Sequence, residues 1–313
     1  MGIGILAPLT LLVVAVAPRR EGSDGDGGAI TAKWSRAPRG AVPWDSLGYV
    51  SSYEVLAELP HDPGSFTQGL AFSDDGTLYE SDGLYGHSLV RSVEPSTGAT
   101  VRLARNARNF FAEGIEIVDD KLVQLSWQEK LVNEFDKDTL ALVRSVPLNV
   151  GREGWGLAYN GSALFLTDSG SGLFVLEPHT YNLLHVLPIV DPRLDAHKGG
   201  KLIHGVNELE WVGNELWGNV YPMYQGKHSE CIVRIDPSTG LVLGWVDMHG
   251  LLDRQRPAVR QQPHHYVLNG IAYDRRREKL YVTGKQWDKM YQVAITPTKG
   301  LGPQHVLDVC SLG

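Results

Sequence analysis

One carboxylic acid, three carboxamides and one amine stand beside aromatic residues at matching places in this 313-residue sequence. The acid is Glu113, the amides are Gln68, Asn207 and Asn269, and the amine is Lys285. Phe66, Phe111, Trp127, Trp155 and Tyr221 supply the aromatic surface. Brought to one place, this set makes an apolar pocket with a few placed polar groups, the usual form of a small-ligand site. It suits a small neutral head group better than a phosphate. The same residues have plainer readings: amides that hold water in a channel, tryptophans that pack between sheets, a lysine on the rim. Glu113 fits those readings worst, because a carboxylate among aromatic rings has a large desolvation cost unless it is partnered.

The spacing says how the set is brought together. Five short stretches share one pattern, each led by a different residue: Gln68-Gly69-Leu70-Ala71-Phe72, Glu113-Gly114-Ile115-Glu116-Ile117, Trp155-Gly156-Leu157-Ala158-Tyr159, Asn207-Glu208-Leu209-Glu210-Trp211 and Asn269-Gly270-Ile271-Ala272-Tyr273. Small or apolar residues alternate behind the leader, as in a strand with a buried face. A repeat of roughly 40 to 60 residues built from short strands predicts a propeller. Second strands are expected at 78–83, 122–127, 164–169, 216–221 and 280–285, and third strands at 89–93, 131–135, 173–176, 232–235 and 290–293. Fourth strands are expected at 100–103, 142–146, 183–187 and 241–246. The fifth unit lacks a fourth strand, and 53–59 is expected to supply it and close the ring. The predicted fold is therefore all-β, a five-bladed propeller with four-stranded antiparallel blades. In a hairpin the start of one strand lies beside the end of the next. The leaders should thus meet Gly83, Trp127, Ser169, Tyr221 and Lys285 at one mouth of the channel. The long segments 191–205, 223–230 and 250–266 are assigned to the same face.

The formal net charge of −7 is modest and no basic stripe is visible, which argues against nucleic acid. Residues 3–17 are apolar, a length that suits a signal-peptide core, with a short membrane anchor as the competing view. Domain boundaries follow: 1–17 signal or anchor, 18–48 a Gly-, Asp-, Arg- and Pro-rich linker, 49–313 the propeller. The only cysteines, Cys231 and Cys310, would pair in an exported chain and tie the tail to the fourth unit; two free thiols are the other reading. Asn160-Gly161-Ser162 is the only glycosylation sequon, at a turn.

A set of ordered motifs resembles the plant-type glutaminyl-peptide cyclotransferases, or glutaminyl cyclases. It comprises Pro60-His61-Asp62-Pro63, Phe66-Thr67-Gln68-Gly69-Leu70, Glu80-Ser81-x-Gly83-Leu84-Tyr85-Gly86 and Phe111-x-Glu113-Gly114. It continues with Gly154-Trp155-Gly156-Leu157, Asn207-Glu208-Leu209-Glu210, Leu243-Gly244-Trp245, Leu268-Asn269-Gly270-Ile271-Ala272 and Val282-Thr283-Gly284-Lys285. The resemblance runs from about residue 53 to residue 293. It implies a five-bladed propeller that converts N-terminal glutamine of peptides and proteins to pyroglutamate with release of ammonia. It implies Glu113 as the proton shuttle, its pKa raised by burial. Gln68, Asn207 and Lys285 match pocket positions that hold the amide and the developing oxyanion, and Phe66, Phe111, Trp127 and Trp155 match the aromatic wall, with indole N–H groups available to donate. Tyr221 departs from the family pattern, which has tryptophan there.

No cofactor is expected for catalysis, and a structural metal ion in the channel is left open. The expected partners are peptides or proteins with N-terminal glutamine, with membrane contact only if the N-terminal segment is retained, and a monomer is expected. The expected location is the secretory pathway: endoplasmic reticulum or Golgi lumen, vacuole or exterior. Two other classes remain: a Ca²⁺-dependent hydrolase with Glu113, Asn207 and Asn269 as ligands, and a binding-only propeller.

Overall fold

The structure, a computed structural model, describes residues 46–222, 228–310 and 312. The segment 1–17, nearly all of the linker 18–48, and residues 223–227 of the 223–230 loop lie outside the described residues. The chain is all-β, with strands β1 (Val50–Pro60), β2 (Thr67–Phe72), β3 (Leu78–Asp82), β4 (Leu89–Glu94), β5 (Ala99–Arg105), β6 (Ala112–Val118), β7 (Lys121–Ser126), β8 (Leu131–Asp136), β9 (Leu142–Pro147), β10 (Leu157–Tyr159), β11 (Leu164–Thr167), β12 (Gly172–Leu176) and β13 (Leu183–Pro188). After the short pair β14 (Val190–Asp191) and β15 (Lys201–Leu202) come β16 (Val206–Val212), β17 (Glu215–Val220), β18 (Cys231–Ile235) and β19 (Val242–Asp247). A short helix α1 (Pro257–Arg260) precedes β20 (Leu268–Asp274), β21 (Lys279–Gly284) and β22 (Lys289–Pro297), and α2 (Pro303–Val309) follows.

Three sheets are four-stranded and antiparallel: β2-β3-β4-β5, β6-β7-β8-β9 and β10-β11-β12-β13. An eight-stranded sheet has the order β16-β17-β18-β19-β1-β22-β21-β20. Its halves meet at β1, which pairs antiparallel with β22 from Ser51 to Pro60 and parallel with β19 at Val50 and Ser51. The N-terminal strand therefore fills the place left by the missing fourth strand, and runs further than 53–59. Strands β2, β6, β10, β16 and β20 pack against one another in turn, and β20 returns to β2. The arrangement is propeller-like. Burial falls outward: β2 and β6 are buried almost throughout, whereas β5, β9 and β13 are exposed nearly end to end.

Inner strands this close leave no room for side chains on one flank. A Cβ on Gly114 would lie 2.5 Å from the Trp155 carbonyl oxygen, and one on Gly156 would collide with that of Asn207. This explains the glycine behind the leader at 69, 114 and 156; Gly270 is instead required by its φ of +134°. In the fourth copy Glu208 stands there instead. Its carboxylate accepts the Leu70 N–H at 3.3 Å and the Ile271 N–H at 2.8 Å, joining β2 and β20.

Cys231 and Cys310 are disulfide-bonded, with Cα atoms 5.4 Å apart, so the chain end after α2 is tied to β18. The sequon asparagine caps the turn between β10 and β11, its Oδ1 accepting the Ser162 and Ala163 N–H groups.

Candidate active site

The leading residues are aimed by a repeated irregularity. The pairing register shifts between Thr67 and Gly69, between Ala112 and Ile115, between Val206 and Leu209, and between Leu268 and Ile271. Each shift is a bulge that inserts one extra residue, and Gln68, Glu113, Asn207 and Asn269 lie inside them. A bulge bends its strand and redirects the side chain it carries. Trp155 is held differently: it precedes β10, and its N–H donates to the Thr167 carbonyl at 3.0 Å.

The second set meets the first as hairpin geometry requires. Gly83, Trp127, Tyr221 and Lys285 donate their N–H groups to the carbonyls of Phe66, Phe111, Gly205 and Val267, each two residues before a leader. The second strands end slightly earlier than the sequence suggested, at Asp82, Ser126, Val220 and Gly284. Gly83, Trp127, Tyr221 and Lys285 are thus the first turn residues beyond them.

The ten expected residues separate into a floor and a wall. Gln68, Glu113, Asn207, Asn269 and Lys285 are buried, while Phe66, Phe111, Trp127, Trp155 and Tyr221 are half-buried. On one side Phe111 packs edge-on against Phe66 at 6.3 Å between centroids and tilted against Trp127 at 5.4 Å. On the other, Trp155 meets Tyr221 edge-on at 5.8 Å. Lys285 bridges the groups, its Nζ 4.9 Å from the Phe66 centroid and 5.4 Å from that of Tyr221.

The floor is a directed chain of hydrogen bonds. Asn269 Nδ2 donates to Gln68 Oε1 at 3.2 Å and to the Thr67 carbonyl at 2.9 Å, and Gln68 Nε2 donates to Glu113 Oε1 at 3.0 Å. Glu113 Oε2, Asn207 Oδ1 and Asn269 Oδ1 are buried and accept no hydrogen bond among the described residues. Burial pushes Glu113 well above the ordinary carboxylate value; Lys285 opposes the shift, and Glu153 and Glu129 add to it. Burial lowers Lys285 to about 8, against the pull of Glu113. Burial thus moves the acid up and the amine down, the directions that suit proton exchange.

Three further residues reach the wall. Glu153 Oε2 accepts the Trp127 indole N–H at 2.6 Å. Glu129 accepts the Tyr85 hydroxyl at 2.7 Å, and Tyr85 packs on Phe111 at 5.3 Å. Tyr85 lies in one of the motifs above; Glu129 and Glu153 sit in turns where no periodicity marks them. Of the long segments, 250–266 covers this end: Arg256 reaches the Gln286 and Pro63 carbonyls, and the Tyr266 carbonyl accepts the Trp287 indole N–H. The 191–205 segment meets the wall at its end, where the Gly205 carbonyl accepts the Tyr221 N–H.

Comparison with known proteins agrees with this architecture. The family profile described as Glutamine cyclotransferase matches residues 30–295. The chain is 35% identical over 263 residues to the glutaminyl-peptide cyclotransferase of Arabidopsis thaliana, covering 83% of this chain and 77% of that protein. The crystal structure of the Myxococcus xanthus glutaminyl cyclase superposes with a TM-score of 0.68 at 29% identity, over 80% of this chain and 99% of that one. The profile match takes in every leading residue of the repeat, and the chain belongs to the glutamine cyclotransferase family.

Proposed function

We propose that this chain converts the N-terminal glutamine of peptides and proteins to pyroglutamate. The α-amine nitrogen bonds to the side-chain amide carbon, the carbon–nitrogen bond of that amide breaks, and ammonia leaves. The observation that carries the reading is the composition of the floor. Three buried acceptor oxygens, on Glu113, Asn207 and Asn269, face no protein donor among the described residues, beside one buried ammonium. An N-terminal glutamine offers amine and amide N–H donors and a carbonyl acceptor, the complementary set.

Glu113 is assigned as the proton shuttle. Its Oε2 takes a proton from the attacking amine and returns it to the departing nitrogen, while Gln68 fixes Oε1. Lys285 and the amides of Gln68, Asn207 and Asn269 position the substrate amide, with Lys285 the donor for the oxyanion. Phe66, Phe111, Trp127, Trp155 and Tyr221 hold the glutamine methylenes and keep out water. Ring closure is intramolecular, so holding the near-attack conformer supplies much of the acceleration. No metal is assigned to this chemistry.

The scaffold is read as a five-bladed propeller, the eight-stranded sheet being two blades joined by β1, with the domain at 49–313. Export into the secretory pathway is supported by the Cys231–Cys310 disulfide and by a sequon in a turn. The protein is read as a monomer, with membrane contact only through a retained N-terminal segment. The test is ammonia release from a glutaminyl dipeptide, with and without exhaustive chelation. Turnover that survives chelation is expected. Its loss, with recovery on adding Ca²⁺, would favour the metal-dependent hydrolase reading.

A further inference from the structure

Two strands outward from the inner strand β16, the β18–β19 pairing brings together residues that the sequence keeps apart. Cys231 lies opposite Asp247, which sets Glu230 and His228 beside the turn that carries His249. One ligand atom from each of His228, Glu230 and His249 lies within 4.8 Å of the others. We propose that these three side chains form a site for a divalent transition-metal ion of the zinc type, which clamps the start of β18 to the end of β19.

The local geometry favours a metal over a simple ion pair. His228 Nε2 and Glu230 Oε1 are 3.8 Å apart, too far for a hydrogen bond. The distance is close to the roughly 3.3 Å that separates two ligands on a tetrahedral zinc with bonds of about 2.0–2.1 Å. Glu230 is buried and held in place: its Oε2 accepts the Leu252 N–H at 3.0 Å, and its carbonyl accepts the Met248 N–H at 2.8 Å. His249 is oriented from behind, its Nδ1 lying 2.7 Å from Asp247 Oδ1. A carboxylate oxygen only accepts, so Nδ1 carries the proton, which leaves Nε2 as the ring atom that a metal would take. A histidine fixed by a carboxylate behind it is the usual support for a metal ligand. The other Asp247 oxygen holds His305 of α2 at 2.8 Å, and Cys231, next to Glu230, carries the disulfide to Cys310. Metal and disulfide would thus close one seam between β18, β19 and the C-terminal helix. Two imidazoles and one carboxylate select Zn²⁺, Ni²⁺ or Cu²⁺ over Ca²⁺ or Mg²⁺. None of these residues is among the ten assigned to the pocket, so the ion is assigned to heat resistance and not to turnover.

The test uses the untagged full chain with its disulfide intact, stripped by chelator and titrated calorimetrically with Zn²⁺. One ion per chain is expected, with His228→Gln and His249→Gln each weakening binding by at least about tenfold and Asp247→Asn by about 10–100-fold. Zn²⁺ should raise the melting temperature of the wild type and leave that of the His228→Gln/His249→Gln double variant unchanged. Melting in the absence of metal reports whether the variants fold. Zn²⁺, Ni²⁺ and Cu²⁺ all binding more weakly than on the order of 100 µM would overturn the proposal. So would Zn²⁺ bound equally tightly by the folded double variant.

Discussion

Glu113 and Glu208 make the informative comparison in this molecule. Both lie in bulges of the inner strands, both are buried, and burial raises both well above the ordinary carboxylate value. They differ in what their oxygens touch. Glu208 has one backbone N–H on each oxygen, from Leu70 and Ile271, and so joins two inner strands. Glu113 has one oxygen held by Gln68 and the other without a donor among the described residues, beside Lys285 and the aromatic wall. A raised pKa is therefore a poor guide to chemistry on its own. The unpartnered oxygen in a pocket distinguishes the carboxylate proposed to react from the structural one.

The largest effect that would sharpen this contrast comes from Lys285. Lys285→Met removes the donor assigned to the oxyanion and the cation that opposes the Glu113 shift. We expect kcat/KM to fall by about 10²-fold or more. The acid limb of the pH profile should move to higher pH, because Glu113 loses a favourable charge and ionises later. The alkaline limb near pH 8 that belongs to Lys285 should disappear. The amine of a common dipeptide substrate titrates equally in both enzymes, so the difference belongs to the site. An unshifted acid limb would uncouple the two residues.

Glu208→Gln tests the other half. A glutamine amide can accept at only one of its two ends, so one backbone N–H is left unpaired at a cost of about 1–3 kcal/mol. The melting temperature should fall by roughly 2–10 °C, with kcat little changed. The folded chain holds the Glu208 proton to a higher pH than the unfolded chain does. Between those two pKa values the unfolded state binds fewer protons, so wild-type stability falls as pH rises. Glutamine has no such titration, and the deficit of the variant should shrink with rising pH. A deficit that widens would reverse the assignment of Glu208.

A smaller effect is expected on the wall. Tyr221→Ala removes a half-buried ring that touches Trp155 and Lys285, and should raise KM about tenfold with less change in kcat, since wall contact serves ground and transition states alike. Tyr221→Trp should keep activity. Steady-state kinetics with one glutaminyl dipeptide decides both, and unchanged constants for a folded Tyr221→Ala would remove Tyr221 from the pocket.

Much of this contrast could be read before the fold was seen. The five leaders are visible because an alternating apolar pattern follows each, with glycine next in four of the five copies, and strand order then places Trp127, Tyr221 and Lys285 beside them. The different fates of Glu113 and Glu208 were not visible, because they depend on which backbone N–H groups the neighbouring strands present. Glu129 and Glu153 were missed for a related reason: they act from turns, where no period marks a residue. The cluster of His228, Glu230 and His249 depends on the register of β18 against β19, which local sequence does not specify.

The central claim is that the unpartnered Glu113 oxygen moves the proton. Measuring ammonia release by Glu113→Gln and Glu208→Gln side by side, in proteins shown to be folded, tests it most directly. Glutamine at 113 keeps the shape and the contact with Gln68 but cannot shuttle a proton. The account predicts that kcat falls at least roughly 10²-fold for Glu113→Gln with KM nearly unchanged, and stays within about threefold of wild type for Glu208→Gln. Equal losses in the two variants, or a fully active Glu113→Gln, would contradict it.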